Sequence, residues 1–224
     1  MTGLGITGTD TNVGKTVVTT ALVSALYERG VRVAAMKPVE SGGTDDGDAL
    51  RKAAGNVFPT ELVTPVLLAE PLAPLVAARR AHRTIDIETL DTAFHTLRRE
   101  SEIVVVEGAG GLLVPITRSV HFGTLFHRWA LDVVIVAANR LGAVNHTLLT
   151  VDSARAQGLT VRAVVLNTVR DGSPSIADQT NQVLIQELRD VPVLPFPYLH
   201  GATRTAQHRA AGHALASALF GELA

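Results

Sequence analysis

The chain has 224 residues, of which 46% are hydrophobic and 18% charged, so we expect one domain with a sizeable core over residues 1–224. Its formal net charge of −1 gives no broad basic surface for nucleic acid or an anionic membrane. The absence of cysteine excludes disulfides, thiolate metal sites and a cysteine nucleophile.

The N-terminal residues lack the basic stretch and long apolar run of a signal peptide. The longest apolar stretch, 133–138, is far too short to span a bilayer. We therefore expect a soluble cytoplasmic protein that has neither a membrane nor nucleic acid as a partner.

Short apolar runs alternate along the chain with longer amphipathic stretches. Most of the runs are rich in valine, isoleucine or alanine, which is typical of strands buried on both faces. The predicted strands are 3–7, 31–36, 103–106, 133–138, 161–166 and 193–196. The predicted helices are 17–29, 87–99, 144–157, 176–188 and 206–219. This alternation predicts an α/β fold with a doubly wound, mostly parallel sheet and flanking helices.

The segment 41–69 is the least regular part of the chain. It is first polar and glycine-rich and then carries Pro59 and Pro65. We interpret it as a functional excursion from the sheet.

A glycine-rich loop follows the first predicted strand and opens the first predicted helix. It has the sequence Gly8-Thr-Asp-Thr-Asn-Val-Gly-Lys-Thr16. Backbone N–H groups of residues 11–16, the helix N-terminus and the Lys15 ammonium would together hold a triphosphate, with the Thr16 hydroxyl on Mg²⁺. The loop therefore predicts ATP binding with Mg²⁺. Five residues separate Gly8 from Gly14, where the general motif has four.

Two further charged side chains follow predicted strands at the same edge of the sheet. Lys37 could neutralise a transferring phosphoryl group or an anionic substrate. Glu107, before the glycines of residues 108–111, occupies the place of an acidic metal ligand. One carboxylate from residues 45–48 could also reach Mg²⁺, although Asp45 and Asp46 are equally typical of a solvated turn.

The sequence Leu141-Gly-Ala-Val-Asn-His146 opens the third predicted helix. Its free N–H groups could bind an anion such as a carboxylate, or Asn145 could simply cap the helix. The sequence leaves both interpretations open, and it favours a structural role for His146.

Taken together, these motifs resemble the dethiobiotin synthetase family, and they do so in order along nearly the whole chain. The segments that carry the resemblance are Gly8 to Thr16 with its five-residue spacing, Lys37-Pro-Val-x-Ser-Gly42, Asp48-Ala-Leu, Glu70-Pro-x-x-Pro74, Val106-Glu-Gly-Ala-Gly-Gly111, Leu141-Gly-x-x-Asn-His146 and Asn167. The resemblance implies a phosphate-loop NTPase fold. It also implies ring closure of 7,8-diaminopelargonic acid with CO₂ and ATP to give dethiobiotin, through a carbamate and a carbamic–phosphoric anhydride.

The resemblance assigns roles residue by residue. It implies Thr16, Asp48 and Glu107 as Mg²⁺ ligands, and Thr11, Lys15 and Lys37 as the catalytic groups around the phosphoryl group and the carbamate. The implied ATP contacts are Asn12, Val13, Gly14, Lys15, Thr16, Val17, the adenine-reading Asn167, and Pro197. The implied substrate contacts are Ser41, Gly110, Ala143, Val144 and Asn145. It further implies a homodimer in which the helix start of one subunit binds the substrate carboxylate of the other.

One position departs from the family pattern. Asn12 stands where the family often has glutamate, so any role of that acid does not transfer. With few aromatic residues to stack on a base, the choice of nucleotide stays open.

Other ATP- or GTP-binding classes fit less well. A partitioning ATPase usually has a lysine early in the loop, where this chain has Asp10. A GTPase usually has Asn-Lys-x-Asp, and the sequences after Asn139 and Asn167 do not match it. A glutamine-dependent ligase would need a longer chain and usually a cysteine, and a non-catalytic nucleotide-binding module would leave two lysines and two carboxylates without a task.

Overall fold

The computed structural model describes residues 3–221. The strands are β1 (Gly3–Gly8), β2 (Val33–Met36), β3 (Val39–Ser41), β4 (Val66–Leu68), β5 (Ile103–Gly111), β6 (Asp132–Ala138), β7 (Val161–Asn167) and β8 (Val193–Phe196). The helices are α1 (Lys15–Glu28), α2 (Asp45–Ala53), α3 (Thr60–Val63), α4 (Pro74–Arg80), α5 (Ile87–Glu100), α6 (Phe122–Arg128), α7 (Ala143–Ala156), α8 (Ile176–Arg189) and α9 (Arg204–Phe220).

The main sheet has six strands in the order β2-β5-β1-β6-β7-β8. Every neighbouring pair is parallel, so all six carboxyl ends lie along one edge. Strands β1, β2, β5, β6 and most of β7 are buried on both faces, because their runs of valine, isoleucine and alanine meet helices on each side. The edge strand β8 is less buried. The chain order reverses beside β1, which is where open α/β sheets place their ligands.

Helices cover both faces of this sheet. The connection from β1 through α1 to β2 crosses the sheet in one direction, and a right-handed crossover therefore places α1 on one face. The connections through α5 to β5 and through α7 to β7 cross it in the opposite direction, so α5 and α7 lie on the other face. The last helix, α9, packs against α1. This arrangement confirms the predicted doubly wound α/β fold. Among residues 3–221, every helix is too short or too polar to cross a bilayer.

The irregular segment 41–69 is more ordered than the sequence indicates. The short strands β3 and β4 form a separate two-stranded parallel sheet, with α2 and α3 between them in the chain. The small helix α2 escaped prediction because Gly47 and its acidic residues obscure the apolar period, although Leu50 is fully buried. This excursion packs beside α1 and carries charged side chains to the carboxyl edge of the main sheet.

The predicted strands and helices are otherwise confirmed to within a few residues. The main extension is β5, which continues past Val106 to Gly111 and shifts its register against β1 between Ile6 and Gly8. The short helices α4 and α6 also lie in segments for which we predicted no helix.

Candidate active site

The glycine-rich loop connects β1 to α1 at the carboxyl edge of the sheet. Gly14, the residue before α1, has φ 89°, and Asn12 has φ 60°, so the loop turns through the left-handed region twice. The Asp10 carboxylate accepts the backbone N–H of Thr11 at 2.7 Å. Buried Lys15 bends back over the loop and donates to the Asp10 carbonyl at 3.2 Å. The loop therefore presents a lysine within a concave turn, as a phosphate site requires.

Asn167, the last residue of β7, braces this loop from below. Its side-chain Nδ2 donates to the Val13 carbonyl at 2.9 Å, and the residue is buried. A Cβ at Gly14 would overlap the same amide group, so this contact leaves room only for glycine. Asn167 thus contacts the loop through its N–H₂ group, and its Oδ1 atom is the remaining hydrogen-bond acceptor of the side chain.

Four side chains from four parts of the fold meet beside the loop. Lys37, just after β2, places Nζ 2.6 Å from Glu107 Oε1 and 2.7 Å from Asp46 Oδ2. The Thr16 hydroxyl lies 2.8 Å from Asp46 Oδ1 and 2.8 Å from Glu107 Oε1. Glu107 is completely buried near the middle of β5, and Lys37 is almost completely buried. We call Thr16, Lys37, Asp46 and Glu107 the rim cluster.

Burial and charge shift the titration of these groups in opposite directions. Burial, reinforced by the positive charge of Lys37 and opposed by Glu107, lowers the pKa of Lys15 to about 8. Burial also acts to lower the pKa of Lys37, but Glu107 and Asp46 outweigh it and raise that pKa. Burial acts to raise the pKa of Asp46, and Lys37 outweighs it and lowers that pKa. Lys37 and Asp46 are therefore both charged at neutral pH.

The rim cluster contains Asp46 and not Asp48, which the sequence predicted as a metal ligand. Asp48 is exposed and its backbone N–H bonds to the Thr44 carbonyl, while Asp46 reaches Thr16. Both residues lie in the first turn of α2, and two residues rotate a helix by about 200°, so only one of them can face the sheet. Asp46 therefore occupies the position beside Thr16 that the sequence predicted for Asp48.

The oxygen atoms of the rim cluster fit a magnesium ion. Thr16, Asp46 and Glu107 supply one hydroxyl and two carboxylates, and Mg²⁺ usually takes one or two carboxylates together with phosphate oxygens. Glu107 Oε2 is buried and has no hydrogen-bond partner among residues 3–221, so it has an unused lone pair. In the same part of the chain, no group of three or more His, Asp or Glu side chains could hold a metal alone. A cation here would take its remaining ligands from nucleotide phosphate oxygens and water.

A cavity of about 730 Å³ opens onto the loop and the rim cluster. Its walls include Thr11, Asn12, Gly14, Val17, Ser41 and Gly110 from the predicted set. They also include Glu40 and residues 71–74, to which the sequence assigned no role in the site. The Ser41 hydroxyl is buried without a hydrogen-bond partner in the described structure. The cavity therefore brings the predicted phosphate and substrate residues together around one space.

Other predicted residues lie at the same edge of the sheet but outside this cavity. Ala143, Val144 and Asn145 form the first turn of α7, which follows Gly142 in a left-handed conformation. Pro197 is exposed directly after β8, next to the end of β7 where Asn167 lies. Val13, within the loop, has a buried side chain, and its carbonyl accepts the hydrogen bond from Asn167.

Comparison with known proteins identifies the family. A family model described as an AAA domain matches residues 2–205. The ATP-dependent dethiobiotin synthetase BioD of Anaeromyxobacter dehalogenans strain 2CP-C is 40% identical over 222 residues, which cover 97% of this chain and 98% of that protein. The chain belongs to the dethiobiotin synthetase family. Two further relatives agree. The ATP-dependent dethiobiotin synthetase BioD of Thermodesulfovibrio yellowstonii is 37% identical over 88% of this chain and 89% of that protein. The ATP-dependent dethiobiotin synthetase BioD of Janthinobacterium sp. strain Marseille is 43% identical over 77% of this chain and 78% of that protein.

Solved structures support the fold of this dethiobiotin synthetase family member. The chloroplast FtsY from Physcomitrella patens aligns with a TM-score of 0.50 and 17% identity, over 98% of this chain and 65% of that one. At this identity the likeness concerns the fold alone. The family resemblance that the motifs predicted is confirmed, whereas the roles of single residues remain predictions.

Proposed function

We propose that this dethiobiotin synthetase family member closes the ureido ring of dethiobiotin in biotin biosynthesis. Its substrates would be 7,8-diaminopelargonic acid, CO₂ and ATP, and its other products ADP and phosphate. The observation that carries the proposal is the rim cluster, which sets a buried lysine and two carboxylates beside a phosphate loop.

The nucleotide would bind along the loop and the start of α1. Thr11 to Val17 supply backbone N–H groups and the helix N-terminus, which favour the phosphate oxygens. Asn167 Nδ2 donates to Val13, so Oδ1 is the side-chain atom that would accept a hydrogen bond from the amino group of adenine. Asn12 adds an amide at the cavity wall where an acid would repel the triphosphate.

Thr16, Asp46 and Glu107 would hold the magnesium ion. The ion would neutralise charge on the phosphate oxygens of ATP. Lys37 and Lys15 bring two further positive charges to the same space, and both are buried, so water screens them little. Charge stabilisation and positioning therefore account for catalysis, and a covalent enzyme intermediate is unnecessary.

Ring closure would proceed in three steps. One amine attacks CO₂, forms a C–N bond and loses a proton to solvent, which leaves a carbamate. A carbamate oxygen attacks the γ-phosphorus and displaces ADP. The second amine attacks the carbonyl carbon, loses a proton, and expels phosphate together with that oxygen. Lys37 and Lys15 would stabilise the charge on the transferring group, and Thr11, Ser41 and Gly110 would line the substrate space.

The substrate carboxylate would be held by a second subunit of a homodimer. The first-turn N–H groups of α7, at Ala143, Val144 and Asn145, suit a carboxylate because they have no intrahelical acceptor. They lie outside the main cavity of their own chain, so a partner's helix start would complete the site.

Phosphate release tests the proposed function. Purified protein with ATP, Mg²⁺ and bicarbonate should release phosphate only when the diamine is added, and dethiobiotin should form in equal amount. Phosphate release at the same rate without the diamine would contradict the proposal and favour an ATPase switch.

A further inference from the structure

Glu40 is a buried carboxylate that neither the loop nor the rim cluster uses directly. It lies in the middle of β3, three residues after Lys37, and is 5% exposed. A carboxylate in such a place is costly unless hydrogen bonds satisfy it. Its oxygens each accept one backbone N–H, from Asp46 at 2.9 Å and from Gly47 at 3.0 Å.

Both N–H groups belong to the first turn of α2, where a helix has no acceptor of its own. The residue before the helix, Thr44, makes no side-chain cap in the described structure. Glu40 takes over this task from a different element. A negative charge at a helix N-terminus is also favoured by the helix dipole.

The contact fixes the direction of the Asp46 side chain. While Glu40 holds the Asp46 backbone, the Asp46 carboxylate reaches Thr16 at 2.8 Å and Lys37 at 2.7 Å. Gly47 allows the close approach, because a Cβ there would overlap Thr64 Oγ1 and lie 2.8 Å from Glu40 Oε2. The helix start, Glu40 and the rim cluster therefore form one connected unit.

We propose that Glu40 is a positioning residue that sets the affinity of the rim cluster for a divalent cation by orienting Asp46. The inference rests on the proposed function in one respect, the use of Asp46 as a cation ligand. Residues that orient a metal ligand typically contribute about 10- to 100-fold to metal affinity.

Manganese binding measures this effect without catalysis. Free Mn²⁺ would be followed by electron paramagnetic resonance in the presence of a non-hydrolysable ATP analogue. Glu40→Gln keeps the size and one acceptor oxygen but turns an amide N–H₂ towards one of the N–H groups. We expect Mn²⁺ affinity to fall by about 10- to 100-fold, with binding of the analogue in EDTA unchanged. Unchanged Mn²⁺ affinity would overturn the proposal, as would an equal loss of metal-free nucleotide binding.

Asp86→Asn is the matched control. Asp86 caps α5 by accepting the Glu88 N–H at 3.1 Å, away from the main cavity. It tests whether losing a helix cap alone weakens Mn²⁺ binding. We expect no effect, and a loss as large as that of Glu40→Gln would overturn the positioning role.

A double-mutant cycle asks whether Glu40 acts through Asp46. In an Asp46→Asn background, Glu40→Gln should cause little further loss of Mn²⁺ affinity, since the group that it orients is already impaired. Full additivity would overturn the proposal.

Amide exchange provides a test on the unmodified protein should the Glu40 variant fail to fold. By NMR, the amide protons of Asp46 and Gly47 should exchange more slowly than that of Val144 in the first turn of α7, where Gly142 provides no side-chain cap. Equally fast exchange would overturn the proposal. These readouts need no diamine, so failed ring closure would leave them interpretable, and a negative result here would leave ring closure intact.

Discussion

At the scale of single residues, the rim cluster depends on two lysines that burial affects differently. Glu107 and Asp46 hold Lys37 in its charged form. Among residues 3–221, by contrast, the hydrogen-bond partner of the Lys15 side chain is a carbonyl, and the pKa of Lys15 is lowered. The phosphate loop therefore contains a lysine that a bound anion would stabilise in its charged form.

Nucleotide affinity should consequently depend on pH. A bound triphosphate raises the pKa of Lys15 above its free-protein value of about 8, so binding at higher pH requires proton uptake. In EDTA, calorimetry should show constant affinity below that pH and a fall above it that approaches about tenfold per pH unit. Lys15→Met should bind weakly with no such slope. A flat wild-type profile up to pH 9.5 would contradict the assigned Lys15 environment.

Two of the three aspartates of α2, Asp46 and Asp48, make a matched pair for testing the metal set. Asp46→Asn should raise the Mg²⁺ concentration for half-maximal turnover by at least about tenfold, because Asp46 meets Thr16. Asp48→Asn, two residues away and exposed, should leave it unchanged. The reverse order in a Mg²⁺ titration would restore Asp48 to the site.

At the scale of elements, the chain shows which parts of a site local sequence can reveal. Strand, loop and helix around residues 8–16 were predictable, because each has its own periodicity or glycine signal. Lys37 was predictable as a strand-end residue of a parallel sheet. Glu107 was predicted at such an end as well, although β5 continues beyond it to Gly111.

Asp46 was not predictable in the same way. Its direction depends on the phase of α2, a helix of nine residues that Glu40 caps from β3. No local pattern encodes a cap supplied by another element. The cavity wall at residues 71–74 escaped prediction for a similar reason, since only tertiary folding brings it to the loop.

The contact between β7 and the loop yields a further prediction. Asn167→Ala removes the hydrogen bond to Val13 and leaves a buried carbonyl unpaired, which should cost about 1–3 kcal/mol of stability. It also removes Oδ1, so the preference for ATP over GTP should shrink. Thermal unfolding and competition binding with both nucleotides measure the two effects. Equal losses of affinity for ATP and GTP would mean that Asn167 supports the loop and does not recognise the base.

At the scale of the whole molecule, the proposed homodimer predicts complementation between two impaired variants. Lys37→Ala should lose about a hundredfold in rate. Asn145→Glu places an acid where helices tolerate it but where it would repel the substrate carboxylate, with Asn145→Gln as its control. If α7 contributes to the partner's site, each dimer that contains one subunit of each variant has one intact site. Random pairing makes about half of all dimers of this kind, so about a quarter of all sites should be active. Mixing without recovery, at low diamine concentration, would place both groups in one subunit's site.

The whole molecule also joins elements that lie far apart in the chain. The loop after β1, helix α2 of the excursion and the buried middle of β5 meet at one edge of a parallel sheet. The fold therefore accounts for why two lysines and two carboxylates occupy one cavity, and the proposed carbamate phosphorylation gives each of them a task.

Transfer of labelled oxygen from CO₂ to phosphate tests that chemistry most directly. In a rapidly quenched single turnover with freshly dissolved ¹⁸O-bicarbonate, ATP, Mg²⁺ and the diamine, mass spectrometry should find one ¹⁸O in each phosphate released. The carbamate oxygen that attacks the γ-phosphorus leaves with it, which is why the label must appear there. Unlabelled phosphate would mean that water attacks ATP, and it would contradict the account of the site.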